Sequence, residues 1–356
     1  MKTVLIGCVL SLLAILLIPM AAPEPQIPAP VQSQVLFIAQ PGQAETESAP
    51  SFAAPEKTDE EEAIASDASQ LQLLYGGQTL TVGVRDYLTS VVLCEMPVTF
   101  APEALKAQAV AARTFLWKQA ACKKHTDADV CADSACCQAW LCEDALREKF
   151  GADYEAAVEK AAQAVSETAD EVLCYNAELI DATYFSCSGG STEAAVAVWG
   201  TDVPYLQPVV SPGEEYAARY ESEASFSLDA FRSIIAGADG AAALGEDPAA
   251  WLGEITYTEG GGVDTALIGG ASFTGVQLRQ LFGLNSTKFT LELTDAGAFF
   301  HVLGFGHRVG MSQYGADNLA NNGFSYRVIL QYYYQNTRIK KLSRATSGQY
   351  LLSDWY

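Results

Sequence analysis

Positive charge and histidine are both scarce in this chain. It carries 21 Lys and Arg against 43 Asp and Glu, a formal net charge of -22 over 356 residues, with only three histidines. Such an acidic molecule repels phosphate backbones and anionic lipid, so nucleic acid is excluded as a partner. The chain also lacks a dinucleotide-binding glycine fingerprint and a phosphate-binding loop, which removes nucleotide chemistry. No internal repeat is present. What remains is ample material for a core: 49% of the residues are hydrophobic, enough for one large domain or two smaller ones.

One long apolar run stands out, from Val4 to Ala22 just after Lys2. As a helix it would reach roughly 28 Å, close to the bilayer's hydrocarbon thickness of about 30 Å. A cleaved signal peptide is the competing reading. However, Met20-Ala21-Ala22-Pro23 lacks a small-x-small site, and proline follows it. Leu5-Ile6-Gly7-Cys8 looks like a lipoprotein box, but too little apolar chain precedes it. Residues 1–22 are therefore expected to be an uncleaved single-pass anchor, with Lys2 cytoplasmic and the rest outside. Residues 23–70 hold seven prolines, from Pro23 to Pro55, and an excess of acidic side chains such as Asp59 to Glu62. Proline and self-repulsion predict an extended, disordered linker. A folded domain is expected over 71–345, with a short C-terminal tail at 346–356.

Periodicity places strands at Leu71–Leu74 and Thr79–Val84 around Gly76-Gly77, and helices at Arg85–Glu95, from Pro102 onward, and at Tyr154–Thr168. The alanines of the second helix should let other elements approach closely. A hairpin is expected from Glu171 to Ser186, turning at Asn176-Ala177. The second half reads as helices at Leu228–Ile235 and Val276–Phe282, strands at Phe289–Leu293 and Phe299–Leu303, then helices around Met311–Asn321 and Tyr326–Tyr334. Helices and strands are segregated rather than alternating, which predicts an α+β fold.

Glu95 carries the sharpest chemical signal. It ends a helical apolar run that Pro97 forbids from continuing. A carboxylate there faces the negative end of the helix dipole, and partial burial adds to the cost of its charge. Both effects favour a carboxyl that stays protonated, as a general acid must be. A salt-bridged glutamate at a helix end is the plainer reading. Asp86, about two and a half turns earlier, is no evident second carboxylate.

His125-x5-Cys131-x4-Cys136-Cys137 puts one imidazole and three thiols into a short loop. Three Cys and one His form a standard tetrahedral zinc set with no open position for water. Disulfides are the rival, and a catalytic metal is a further alternative. The remaining cysteines read as small core residues.

Two polar, glycine-rich segments could line a cleft. Asp181 to Glu193 runs from a strand into a hydroxyl-rich loop, and Gly304 to Ala316 passes through a tight turn onto a helix start. Both could equally be unremarkable structural turns. A nucleophilic serine in the first would have only His301 and His307 as distant bases.

Four stretches taken in order resemble the stage II sporulation protein D family. They are Tyr87 to Thr114, Tyr184 to Glu193, Phe273 to Phe289, and Gly304 to Ala316 followed by Ile329 to Tyr334. Two departures stand out: Arg308 occupies a place where many relatives carry Gly, and Ala177 stands where Gly is usual in the hairpin turn. The anchor and the His/Cys cluster resemble those of clostridial members. The resemblance implies a lytic transglycosylase with two lobes flanking a glycan-binding cleft, on the extracytoplasmic, septal side of the cell membrane. It implies septal wall thinning during engulfment, on glycan strands already stripped of stem peptides. The implied partners are an amidase (stage II sporulation protein P) and a membrane scaffold (stage II sporulation protein M). By motif position the catalytic acid falls on Glu95, with Gln108, Arg113, Tyr184, Ser188, His307 and Gln313 as substrate-orienting residues. Structural Zn2+ is expected on His125, Cys131, Cys136 and Cys137. A non-catalytic glycan-binding activator of an amidase is the alternative, and a zinc-dependent wall hydrolase is a third reading.

Overall fold

The computed structural model describes residues 66–238, 244–343 and 351–353. The expected anchor and nearly all of the expected linker lie outside these residues. Among the described residues, no helix is long and apolar enough to cross a membrane.

The helices are α1 (Val84–Glu95), α2 (Pro102–Cys122), α3 (Glu143–Phe150), α4 (Tyr154–Glu167), α5 (Ala195–Trp199), α6 (Leu228–Ala236), α7 (Gly275–Phe282), α8 (Gln313–Asn321) and α9 (Tyr326–Tyr333). Strands are grouped into small sheets rather than one continuous layer. The mixture is α+β, as the segregated sequence pattern predicts.

Helix α2 is the centre of the first core. Ala104, Ala107, Ala109, Ala111 and Ala112 are fully buried. Their small side chains let α1, α4, α8, α9 and the strand Glu171–Tyr175 pack around one helix. The chain enters through a hairpin, Gln70–Tyr75 with Gln78–Gly83. Its two-residue turn has Gly76 and Gly77 at φ 57° and 80°, the twist-compatible geometry that glycine supplies. Helix α1 stops on cue: Met96 takes φ -126°, ψ 138°, the extended conformation that the residue before a proline prefers.

A second hydrophobic cluster gathers Phe231, Trp251, Phe273, Leu278, Phe282 and Phe300 between α6, α7 and two three-stranded sheets. One sheet comprises Lys288–Thr294, Gly297–Leu303 and Glu221–Phe226. The other, Leu252–Tyr257, Val263–Ile268 and Ala271–Thr274, has no counterpart among the sequence expectations. Its first pairing is interrupted by register shifts, so a period-2 pattern is not readable there.

Two boundaries differ from expectation. Order starts before Leu71: Asp67 is 4% exposed and its carboxylate is clamped by Arg113. At the other end, Leu351–Ser353 pairs antiparallel with Lys341–Ser343, so part of the expected tail is a strand.

Candidate functional site

Glu95 lies at the last position of α1, on the wall of a cleft of about 360 Å³. The lining comes from the α1 end (Leu93 to Val98), the α3 end (Lys149, Phe150), Ser186, and Gln313 with Tyr314 at the start of α8. Among these lining residues Glu95 is the one carboxylate. Burial raises its pKa from the ordinary carboxylate value, against a hydrogen bond from the Ala139 N–H and the field of Lys149. The Ala139 bond is 2.9 Å long and occupies Oε1. Asp86 sits in the first turn of α1, at the far end of the helix, and is no partner.

A hydrogen-bonded relay stands behind the acid. The Gln138 Nε2 donates to the Tyr184 hydroxyl at 2.8 Å, and the Tyr87 hydroxyl donates to Gln138 Oε1 at 3.2 Å. Burial and the nearby Glu95 both push the Tyr184 phenol well above its usual pKa. Tyr184 is therefore a neutral hydroxyl beside the acid, oriented by Gln138. Neither Gln138 nor Ala139 stands out in the sequence. They matter because the segment after the cysteine cluster folds back against α1.

The other residues singled out in sequence divide into two groups. Gln313 lines the cleft and donates to the wholly buried Gln108 at 3.5 Å. Arg113, by contrast, is fully buried and spends its five N–H donors elsewhere. Two go to Asp67 at 2.7 and 2.8 Å, one to Thr168, and two to the carbonyls of Val165 and Glu171. None is left for a sugar, so the expectation that Arg113 orients substrate is corrected: it fastens α2 to its neighbours.

Ser188 is also fully buried and is not a cleft residue. Its N–H and hydroxyl donate to Glu214 Oε2 at 2.6 and 2.8 Å, and the Gly189 N–H donates to the same oxygen. Ser211, bridged to Tyr333, donates to the other oxygen at 2.5 Å. Ser188 thus wraps a loop around an inward carboxylate, a role its hydroxyl-rich surroundings did not distinguish from sugar binding. His307 packs between Phe185 and Trp199, and its Nδ1 accepts the Val309 N–H at 3.1 Å. Burial, reinforced by Arg279, pushes it down to about 4. It is neutral at physiological pH and is not among the cleft's lining residues.

Arg308 explains the departure from glycine in its turn. It takes φ 67°, a left-handed conformation that costs a side-chain-bearing residue about 1–2 kcal/mol. Its buried guanidinium donates to the carbonyls of Ser188, Ser191 and Gly260 at 2.6–2.9 Å, and lies 3.6 Å from Glu193. Those contacts offset the strain.

The four ligand atoms of His125, Cys131, Cys136 and Cys137 lie within 4.8 Å of one another. His125 Nε2 is 3.3 Å from Cys137 Sγ and 3.8 Å from Cys136 Sγ. Ligands of tetrahedral zinc are spaced by roughly 3.5–3.8 Å, so the donor set suits the ion and small side-chain adjustments would bring its atoms to that spacing. The Cys136 and Cys137 N–H groups both donate to the Asp133 carbonyl, a tight turn that lets adjacent thiols converge. All eight described cysteines are free thiols. The cluster runs straight into Gln138 and Ala139.

Sequence comparisons identify the family to which this α+β chain belongs. The Stage II sporulation protein (SpoIID) family model matches residues 77–175, a span containing Glu95 and the whole His/Cys cluster. The chain is 36% identical over 264 residues to Stage II sporulation protein D of Bacillus subtilis (strain 168), covering 73% of this chain and 75% of that protein. It is 35% identical over the same length to Stage II sporulation protein D of Bacillus amyloliquefaciens, with the same coverage. A protein of B. subtilis named Amidase enhancer is 29% identical over 303 residues, 71% of this chain but 40% of that protein. The chain belongs to the stage II sporulation protein D family, and its setting is sporulation.

Proposed function

We propose that the protein is a peptidoglycan lytic transglycosylase that cleaves MurNAc–GlcNAc bonds of glycan strands stripped of stem peptides. The observation that carries this reading is a single carboxyl, raised in pKa by burial, on the wall of an open cleft without a second carboxylate. Hydrolytic glycosidases usually need two carboxylates, one to activate water. A transglycosylase needs one. Protonated Glu95 gives its proton to the leaving sugar oxygen. The C6 hydroxyl of the muramoyl residue then attacks its own anomeric carbon, and the ionised Glu95 takes up the proton that hydroxyl loses. Chain scission leaves a 1,6-anhydro-muramoyl end, and the acid is restored.

The remaining groups position the strand and the acid. Gln313, backed by Gln108, offers a neutral hydrogen bond to sugar oxygens from the cleft wall, and Tyr184, held by Gln138, keeps a neutral hydroxyl behind the acid. The Ala139 N–H fixes one Glu95 oxygen and leaves the other for substrate. Zn2+ on His125, Cys131, Cys136 and Cys137 would cross-link the loop that carries Gln138 and Ala139; all four positions are filled by protein, so its role is structural.

The expected setting is a membrane-tethered enzyme on the septal side, thinning wall during engulfment. Stage II sporulation protein P would supply stripped strands, and stage II sporulation protein M would serve as scaffold. The name of the amidase enhancer supports a second reading, in which the chain binds glycan and activates an amidase without cutting.

Mass spectrometry of stripped strands incubated with the full chain separates the two readings. Anhydro-muramoyl ends should form with wild type and vanish with Glu95→Gln, while circular dichroism and metal content stay unchanged. Wild-type-like turnover by Glu95→Gln would refute the assignment.

A further inference from the structure

The cleft holds one feature that the acid-base step does not use. Lys149, the penultimate residue of α3, is the only cation among the cleft's lining residues. It is exposed, and its ammonium is pinned by a 2.9 Å hydrogen bond to the Leu93 carbonyl, two residues before the acid. That carbonyl is one of the acceptors that the C-terminal turn of α1 leaves free. An ammonium has three donors, and this contact takes one. No carboxylate lies within ion-pair distance of it among the described residues, although acids outnumber bases two to one in the chain. Arg147, two residues earlier on the same helix, is instead paired with Glu143 and Glu155.

We propose that Lys149 is the specificity-determining residue of this cleft, reading the free lactyl carboxylate of a muramoyl residue. The proposal rests on the glycan-cleaving reading above and adds to it the group that discriminates. In a strand bearing stem peptides, the lactyl carboxyl is tied up as a neutral amide. Removing the stem turns it into an anion at neutral pH. A chain of net charge -22 repels that anion overall, so binding requires a local cation close to where the sugar sits. Lys149 is anchored to the same helix turn as Glu95, so an anion held by its two free donors is placed at a fixed offset from the acid. The field of Lys149 also reaches Glu95, where it opposes the effect of burial. A neutralised Lys149, with its charge spent on the substrate carboxylate, would leave the acid more firmly protonated when strand is bound. Phe150 beside it presents an aromatic ring to the same cleft, a surface suited to a sugar face.

The test uses two probes: stripped strands with free lactyl carboxylates, and the same strands with those carboxylates capped as methylamides. Binding is measured on the full chain carrying Glu95→Gln, with Lys149 intact, Lys149→Gln or Lys149→Arg. With Lys149 intact, free strands should bind roughly two- to fivefold tighter than capped ones, the upper part of the range expected of an exposed charge pair, and the ratio should shrink with added salt. Lys149→Gln should bring the ratio to one by weakening free strands alone, and Lys149→Arg should keep most of it. An equal loss on both probes would mark Lys149 as merely structural and overturn the proposal, as would an unchanged ratio. The underlying reading fails separately. If wild type releases no anhydro ends while the binding ratio still depends on Lys149, the carboxylate site stands and the lytic chemistry falls. If anhydro ends form but the ratio ignores Lys149, the reverse holds.

Discussion

Replacing Asp67 by alanine should destabilise the folded domain by about 3–5 kcal/mol, because it strands a buried guanidinium. Arg113 and Asp67 are 0% and 2% exposed at their side chains and joined by two hydrogen bonds of 2.7 and 2.8 Å. Water cannot enter to solvate the orphaned charge, and the three remaining contacts of Arg113, to Thr168 and two carbonyls, carry no counter-charge. At about 2–4 °C per kcal/mol for a domain of this size, the melting temperature should fall by roughly 6–20 °C. The loss should be smaller in Asp67→Asn, which keeps the shape and one acceptor. It should be partly recovered in the double variant Asp67→Ala/Arg113→Met, which removes the charge as well as its partner. A chain truncated to begin at Leu71 should melt as early as Asp67→Ala, whereas one beginning at Glu60 should match wild type. Differential scanning calorimetry of the set decides the matter. An Asp67→Ala protein melting within 2 °C of wild type would show that this pair is not what locks the chain entry to α2.

Ala177 sits at φ 67° in an exposed hairpin turn, so Ala177→Gly should raise stability by about 0.5–1 kcal/mol, read as a small rise in melting temperature. Cleavage should fail as pH rises through the raised pKa of Glu95, since the neutral form is the proton donor; the descending limb of the pH–rate profile reports it. The same sign governs stability. A carboxyl whose folded pKa is raised favours the fold below its unfolded pKa and ceases to do so as pH climbs. Glu95→Gln should therefore be at least as stable as wild type in alkaline buffer, by thermal melts across pH. Chelation should lower the melting temperature and erode activity at the pace of unfolding, and Cys131→Ser should lose bound zinc by elemental analysis.

Local signals were readable in the sequence wherever one short segment decided the outcome. Proline after Glu95 ends α1, glycines make the entry hairpin, and the alanine run of α2 announces a helix with neighbours on several sides. The His/Cys set was readable for the same reason, being confined to one loop. What escaped depends on chain folding back over distance. Ala139 reaches Glu95 across 44 residues, and Lys149 reaches Leu93 across 56. Helix α3, which delivers Lys149, buries only Leu146, so its apolar pattern is too thin to read. Arg113 and Ser188 misled for a different reason. A polar residue in a motif looks the same whether it holds a ligand or the protein's own backbone, and only burial with full hydrogen-bond satisfaction tells the two apart.

Arg308 joins two separate loops by grasping three of their carbonyl oxygens, groups that every amino acid supplies alike. Gly260 is held to glycine, since a Cβ there would meet the Thr192 carbonyl at 2.4 Å, but the side chains of Ser188 and Ser191 can drift without loosening the guanidinium's own bonds. The length of each loop cannot, since adding or dropping a residue would carry an oxygen out of the guanidinium's reach. Among close relatives that retain the arginine, variation here should take the form of substitutions, with insertions and deletions pushed to either side.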